Sequence, residues 1–193
     1  MYFWDSITYG AFDPEKGGWA NRLRLYLDSR YDFEDEVYNL GISGDNTEGL
    51  LERFDAEAKF RESGLFIFAI GINDSQYVIS EKQNRVPLDK FEQNIKELIS
   101  RARKIDNKIL FIGLTPVDEA KTTPIPWNKD KMYKNEYVKK YNNKIKEICK
   151  SERVDFIDIF SEMIEKDYKS MLIDGLHPDS KGHKWIADKI IQK

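Results

Sequence analysis

The 193-residue sequence predicts a three-layer α/β sandwich built around a sheet of five parallel strands. Short apolar runs of strand length alternate along the chain with longer amphipathic segments of helix length. Two of the runs, residues 65–70 and 109–114, are continuously apolar, which is typical of strands covered on both faces. Alternating strands and helices indicate right-handed crossovers, which place helices on both faces of a parallel sheet.

Five segments are expected to be the strands, in chain order 2–4, 36–41, 65–70, 109–114 and 154–159. The last of them alternates apolar and polar residues, which favours an edge position. Apolar residues at helical spacing predict the helices. These residues are Leu23, Leu25, Tyr26 and Leu27; Leu50, Leu51 and Phe54; Phe91, Ile95, Leu98, Ile99 and Ala102; Tyr137, Tyr141, Ile145 and Ile148; and Trp185, Ile186, Ile190 and Ile191. Asp45 or Asn46 is expected to cap the helix that carries Leu50.

The least regular stretch is residues 116–131, which contain two prolines after Pro116, namely Pro124 and Pro126, and also Trp127. It is long for a connection between a strand and a helix, and such loops are often functional. Because no linker or change in composition interrupts the chain, we expect one domain over residues 1–193.

Composition excludes several classes of protein. A single cysteine cannot form an internal disulfide, and neither a Cys-x-x-Cys pair nor a cysteine/histidine cluster is present to hold zinc. The net charge of −3 is spread in mixed sign, so binding to nucleic acid has little support. No run approaches the ~20 apolar residues that cross a bilayer. Without a recognisable signal peptide, a cytoplasmic location is expected, although a trimmed signal stays open. The oligomeric state is not predicted.

Polar residues follow the predicted strands, where ligands collect in open parallel sheets. Ser6 follows the first strand, and Asp174 and His177 precede the last predicted helix. Imidazole is a base suited to activating a serine at neutral pH, and a carboxylate three residues away can fix its tautomer. This set predicts acyl transfer with Ser6 as nucleophile, His177 as general base and Asp174 as its orienting acid.

An acyl-transfer site also needs hydrogen-bond donors for the oxyanion. The expected donors are the backbone N–H of Ser6, the backbone N–H of Gly41 and the side-chain amide of Asn73. A glycine at position 41 would let the backbone approach a substrate closely. No metal or cofactor is expected.

Four blocks of the sequence, in order, resemble those of the SGNH hydrolases, also called GDSL-type esterases and lipases. They are Phe-Trp-Asp-Ser-Ile-Thr-Tyr-Gly at 3–10, Asn-Leu-Gly-Ile-Ser-Gly-Asp-Asn-Thr at 39–47, Gly-Ile-Asn-Asp at 71–74 and Asp-Gly-Leu-His-Pro at 174–178. The resemblance implies a flavodoxin-like sandwich and the roles given above for Ser6, Gly41, Asn73, Asp174 and His177. One position departs from the family, since Trp4 stands where glycine usually precedes the Asp-Ser pair. We interpret Trp4 as a change in specificity.

Other residues receive weaker expectations. Asp5 and Asp74 are expected to brace turns, His183 to pack or lie at the surface, and Cys149 to be partly buried. Trp4, Tyr9 and Trp127 are expected to contribute to substrate binding, and Tyr133 and Gln76 are further residues near the rim of the site.

The favoured function is a serine esterase acting on small-molecule or carbohydrate esters with short acyl chains, with O-acetylated sugars as one candidate. A lysophospholipase, a thioesterase or an O-acetyltransferase would use the same triad. A non-catalytic module that binds a glycan or a protein partner is the remaining alternative. The sequence lacks the phosphate-binding loop of the P-loop NTPases and the glycine pattern of dinucleotide-binding proteins.

Overall fold

The structure is a computed structural model that describes residues 2–30, 36–61 and 64–193, with residues 2–4 described by their backbone alone. The strands of this part of the chain are β1 (Tyr2–Trp4), β2 (Asn39–Gly41), β3 (Phe66–Ala69), β4 (Tyr77–Val78), β5 (Gln83–Asn84), β6 (Ile109–Ile112), β7 (Lys131–Met132) and β8 (Asp155–Ile157). Its helices are α1 (Ser6–Tyr9), α2 (Gly18–Arg30), α3 (Thr47–Ala58), α4 (Leu88–Arg103), α5 (Glu119–Thr122), α6 (Asn135–Glu152), α7 (Ile159–Ile164) and α8 (Ser180–Ile191), and a 3-10 helix spans Tyr168–Met171.

The central sheet is parallel throughout, with the strand order β2-β1-β3-β6-β8. Each of its strands lies within one of the five predicted segments and is no longer than it, and β8 is at an edge as its alternating pattern predicts. The order reverses direction at β1, between β2 and β3. Crevices that bind ligands form at such a switch point, beyond the carboxyl ends of the strands.

Helices cover the sheet in two groups, which confirms the predicted α/β sandwich. One group pairs α2 with α8, and the other packs α3 against α4 and α4 against α6. Among the described residues, no helix combines the length and the apolar character needed to cross a bilayer.

The core lies where the continuously apolar strands were predicted. Phe66 and Phe68 of β3 and Phe111 of β6 are fully buried, and the rings of Phe68 and Phe111 lie 4.9 Å apart. Burial of such side chains contributes roughly 1.5–3 kcal/mol each. The two central strands are therefore anchored firmly, and the loops that follow them start from fixed points.

Of the two candidate caps for α3, the structure selects Asn46. Its side chain accepts a hydrogen bond from the backbone N–H of Gly49 at 3.0 Å. Asp45 instead forms an ion pair with Arg53 at 2.7 Å.

A small antiparallel sheet with the order β5-β4-β7 was not predicted. It joins the segment after β3 to the end of the irregular 116–131 stretch. Each of its strands has only two residues, too few for an alternating pattern to be recognised. Since it ties these two connections together, it forms one wall of the cleft described next.

Candidate active site

Ser6 occupies the first position of α1, directly after β1. The side chain of Asp5 caps this short helix by accepting a hydrogen bond from the backbone N–H of Ile7 at 2.9 Å. Burial raises the pKa of Asp5 to about 7, against the lowering effect of that hydrogen bond. The bracing role expected for Asp5 is therefore the one that the structure shows, and it fixes the turn that presents Ser6.

Ser6, His177 and Asp174 form a hydrogen-bonded chain. The Oγ of Ser6 lies 2.9 Å from Nε2 of His177, and Nδ1 of His177 lies 2.7 Å from Oδ2 of Asp174. The carboxylate accepts from Nδ1–H, and this bond leaves Nε2 free to accept the serine proton. The three side chains predicted as a triad are brought together.

Asp174 is held in its ionised state by its own turn. Its Oδ1 accepts hydrogen bonds from the backbone N–H groups of Leu176 at 3.0 Å and His177 at 2.8 Å. Partial burial acts to raise the pKa of Asp174, but the hydrogen bonds from His177 outweigh it and lower the pKa to about 2. The acid is thus a permanent negative partner for the imidazole at neutral pH.

Phe12 covers the imidazole and is a residue that the sequence analysis missed. Its ring lies 5.1 Å from that of His177, and its φ of +65° is unusual for a residue other than glycine. The neighbouring Asp13 holds this loop, because its carboxylate accepts hydrogen bonds from the backbone of Gly18 at 2.9 Å and from Ser180 at 2.7 Å. Nothing in the sequence indicates that Phe12 adopts a left-handed backbone conformation.

The amide of Asn73 is oriented from both ends. Its Nδ2 donates to the backbone carbonyl of Asp45 at 2.8 Å, and its Oδ1 accepts from the hydroxyl of Tyr133 at 2.8 Å. Because a backbone carbonyl can only accept, the contact with Asp45 identifies the nitrogen end of the amide, and the oxygen end therefore accepts from Tyr133. One N–H of Nδ2 remains, and Asn73 lines the cleft beside Ser6.

The structure does not bring Gly41 to the cleft. Its backbone N–H donates to the side chain of Asn39 at 3.1 Å, and a Cβ there would lie 2.5 Å from the backbone nitrogen of Tyr9. Glycine is needed at position 41 for the close packing of α1 against β2. Gly44, three residues further on, lines the cleft together with Ser6 and Asn73.

Gly44 has a φ of +79°, and its carbonyl accepts a hydrogen bond from Nη1 of Arg85 at 2.8 Å. A signal for Gly44 was present in the sequence, since it lies between Ser43 and Asp45 in a polar turn where a left-handed backbone is common.

The cleft around these groups has a volume of about 540 Å³. One wall carries Ser6, Phe12 and His177. The opposite wall carries Lys131 of β7 and three residues that adjoin the strands of the small antiparallel sheet, Gln76, Arg85 and Tyr133. The cleft is lined by Ser6, Ala11, Phe12, Ser43, Gly44, Asn73, Gln76, Arg85, Ile125, Trp127, Asn128, Lys131, Tyr133, Asp174, Leu176 and His177. Within the described part of the chain, no group of three or more His, Cys, Asp and Glu side chains is arranged to hold a metal ion.

The sequence pattern of the GDSL-like lipase/acylhydrolase family matches residues 5–185. The chain belongs to this family. It is 27% identical over 202 residues to the isoamyl acetate-hydrolyzing esterase 1 homolog of Mus musculus, and the match covers 96% of this chain and 77% of that protein.

Two solved structures share the fold of this family member. One is Axe2, an acetylxylan esterase from Geobacillus stearothermophilus, with a TM-score of 0.77 and 21% identity over 99% of this chain and 91% of that one. The other is the lipase/acylhydrolase from Enterococcus faecalis, with a TM-score of 0.79 and 21% identity over 99% of this chain and 92% of that one.

The weaker expectations for substrate binding have different outcomes. Trp127 lines the cleft with 58% of its surface exposed, whereas Tyr9 is 64% exposed and is not among the lining residues. The side chain of Trp4, the departure from the family pattern, lies outside the described residues. Tyr133 and Gln76 both line the cleft.

The remaining singled-out residues are structural. Asp74 is fully buried and accepts a hydrogen bond from the backbone N–H of Thr47 at 3.1 Å. His183 is buried, and burial lowers its pKa, so the ring packs as a neutral group. Cys149 is fully rather than partly buried, and burial raises the pKa of its thiol to about 12. Neither His183 nor Cys149 offers a base or nucleophile to the cleft.

Proposed function

We propose that this chain is a serine esterase that hydrolyses carboxylic esters with short acyl chains through an acyl-enzyme on Ser6. The observation that carries the proposal is the chain of contacts from Ser6 to His177 at 2.9 Å and from His177 to Asp174 at 2.7 Å, in the wall of an open cleft. A serine hydroxyl with its proton acceptor and an orienting carboxylate at these distances is equipped for acyl transfer.

In the first half of the reaction, Nε2 of His177 takes the proton of Ser6 while Oγ attacks the ester carbon. The tetrahedral intermediate then collapses, and the C–O bond to the alcohol breaks. His177 returns the proton to the departing alcohol. In the second half, His177 takes a proton from water, the resulting hydroxide attacks the acyl-enzyme, and the carboxylic acid leaves as Ser6 regains its proton.

The oxyanion of both intermediates needs preorganised donors. We assign them to the backbone N–H of Ser6, the backbone N–H of Gly44 and Nδ2 of Asn73. Gly44 takes the place of Gly41 in this proposal, because Gly44 lines the cleft and the N–H of Gly41 is engaged with Asn39.

Short acyl groups are favoured for two reasons. Phe12 lies against His177 and occupies space next to the nucleophile. The names of two proteins similar to this chain specify acetyl esters, one of isoamyl alcohol and one of xylan. The substrate is therefore an acetyl or similarly short ester of a small alcohol or a carbohydrate.

The test is turnover of p-nitrophenyl acetate by the purified protein, together with labelling by a fluorophosphonate. We expect wild type to hydrolyse the ester and to carry the label on Ser6 after peptide mapping. Ser6→Ala should lose both properties, whereas Ser170→Ala, which alters an exposed serine outside the cleft, should keep them. Undiminished hydrolysis by Ser6→Ala would refute the proposal.

Acyl transfer to a second alcohol would use the same triad. Adding methyl glucoside or glycerol at increasing concentration separates the two outcomes. A hydrolase releases acetate at an unchanged fraction of turnover, and an acetyltransferase releases an acetylated acceptor instead.

A further inference from the structure

Gln76 has an unusual polar atom. The residue lines the cleft and is 5% exposed, and its Oε1 has no hydrogen-bond partner among the described residues. In this part of the chain only one other buried side-chain polar atom shares that condition, Oγ1 of Thr115. Buried acceptors are nearly always paired in folded proteins, so an unpaired one beside a substrate cleft points to a group that arrives with a ligand.

The backbone of Gln76 is held by its surroundings. Its carbonyl accepts a hydrogen bond from the backbone N–H of Arg85 at 2.7 Å, and β4 of the small antiparallel sheet begins at the next residue. The side chain therefore starts from a fixed position beneath the cleft.

The amide of Gln76 lies beside the hydroxyl of Tyr133. The hydroxyl proton of Tyr133 is donated to Asn73. Burial raises the pKa of Tyr133, and the neighbouring side chain of Gln76 opposes that rise. Oε1 of the Gln76 amide has no partner among the described residues, and it is therefore the atom left for a ligand.

Gln76 lines the same cleft as Ser6 and Asn73. Tyr133, which lies beside the side chain of Gln76, donates its hydroxyl proton to Asn73 at 2.8 Å. An acceptor in this wall of the cleft is available to a hydroxyl group on the alcohol part of a bound ester. A simple alkyl ester has nothing to donate there.

We propose that Oε1 of Gln76 accepts a hydrogen bond from a hydroxyl group of the substrate's alcohol part, and that esters of sugars and other polyols are preferred over alkyl esters. The proposal rests on the esterase function above. Trp127 supports it, because its exposed indole lines the same cleft and offers a flat apolar face to a sugar ring.

The test uses three acetates of one ring size: cyclohexyl acetate, trans-2-hydroxycyclohexyl acetate and trans-2-methoxycyclohexyl acetate. The methoxy compound keeps the neighbouring oxygen and removes the proton that Gln76 would accept. For wild type we expect kcat/KM on the hydroxy compound to exceed that on the methoxy compound by about tenfold or more, as expected where a site pairs with a substrate hydroxyl.

Two variants test whether the preference for the hydroxy compound depends on Gln76. Gln76→Met keeps the size of the side chain and removes the acceptor, so the ratio between the hydroxy and methoxy compounds should fall to about one. Thr115→Val removes the other unpaired buried oxygen, which does not line the cleft, and should leave the ratio at the wild-type value.

Equal rates of wild type on the hydroxy and methoxy compounds would overturn the proposal without any use of the variants. So would a Gln76→Met enzyme that keeps the full preference. p-Nitrophenyl acetate serves as the reference substrate. If wild type fails on it as well, the esterase function itself has failed, and the role of Gln76 falls with it.

Discussion

The two walls of the cleft are built in different ways. The wall that carries Ser6 and His177 consists of turns at the ends of parallel strands and at the start of α8, each held by its own local hydrogen bonds. The opposite wall carries Gln76, Arg85 and Tyr133, which adjoin β4, β5 and β7 of the small antiparallel sheet. Local structure thus determines the positions of the reacting groups, while contacts between distant segments determine the positions of the residues that would surround the substrate.

This difference predicts effects of graded size on catalysis. Loss of a triad side chain should abolish the chemical step, and changes in the opposite wall should alter its rate or its selectivity more moderately. Changes in the loop that supports Phe12, which does not react itself, should have the smallest effect on catalysis.

The largest effect is expected from Asp174→Asn. The amide cannot replace the carboxylate that accepts from Nδ1 of His177, so the imidazole adopts the wrong tautomer and kcat should fall by about 10³–10⁴. The measurement is kcat on p-nitrophenyl acetate, with circular dichroism to confirm folding. Asp167→Asn, at an exposed site outside the cleft, is the control and should be near wild type. A loss below tenfold for Asp174→Asn would contradict the assigned role.

An intermediate effect is expected from Tyr133→Phe. Without the hydroxyl, Oδ1 of Asn73 loses its partner, and only the bond from Nδ2 to the carbonyl of Asp45 still orients the amide. We therefore expect kcat to fall about tenfold, a part of the loss for a missing donor. KM should change little, because the amide acts on the transition state.

Tyr141→Phe is the matched control for this change. Tyr141 is also buried and donates to a backbone carbonyl, that of Val86, at 2.5 Å, but it lies outside the cleft. Each variant should lose about 1 kcal/mol of stability for its hydrogen bond. Equal kcat in the two variants would show that Tyr133 has only a structural role.

The smallest effect on catalysis is expected from Asp13→Asn, which loosens the loop carrying Phe12. Burial acts to raise the pKa of Asp13, and hydrogen bonds from Ser180 and Gly18 with the charge of Arg22 lower it to about 2. A pKa depressed from 3.8 stabilises the folded state above pH 4 by about 2 kcal/mol, and this contribution is lost as the pH falls toward 2.

Urea unfolding at pH 7 and pH 3 measures this contribution. Wild type should exceed Asp13→Asn by about 2 kcal/mol at pH 7 and by less at pH 3. Asp28→Asn, which removes the helix-surface ion pair with Arg24, should change stability by less than about 0.5 kcal/mol. A difference between wild type and Asp13→Asn that is the same at both pH values would contradict the role of the Asp13 carboxylate.

The same contrast explains what could be predicted from sequence. The apolar runs of β3 and β6 and the spacing of Asp174 and His177 are local patterns. The structure has the buried strands and the contact between imidazole and carboxylate that these patterns predict. The helix face from Phe91 to Ala102 is buried within α4 as its periodicity predicts. Local patterns are enough to predict these segments, because their structure depends on residues nearby in the sequence or on the burial of their apolar side chains.

Several of the failures involve contacts between distant segments. The strands of the small sheet have two residues each, and β4 pairs there with β7, which lies far along the chain. Gly41 was predicted as an oxyanion donor because it ends a strand. In the structure the backbone of Tyr9 packs against Gly41, and Gly44 lines the cleft instead. The position of Tyr133 against Asn73, 60 residues earlier, has no local signal.

The turn that holds Asp174 and His177 together has a consequence for heat inactivation. Acid and base are three residues apart and move as one unit, whereas Ser6 is separated from His177 by 171 positions along the chain. The nucleophile belongs to the first helix and the base to the turn before the last one, and α2 and α8 pack against each other to hold these two ends of the chain in place. Turnover therefore requires that the segment carrying Ser6 and the segment carrying His177 stay in contact. On heating, we expect activity to be lost as soon as these two segments separate, before the central sheet unfolds.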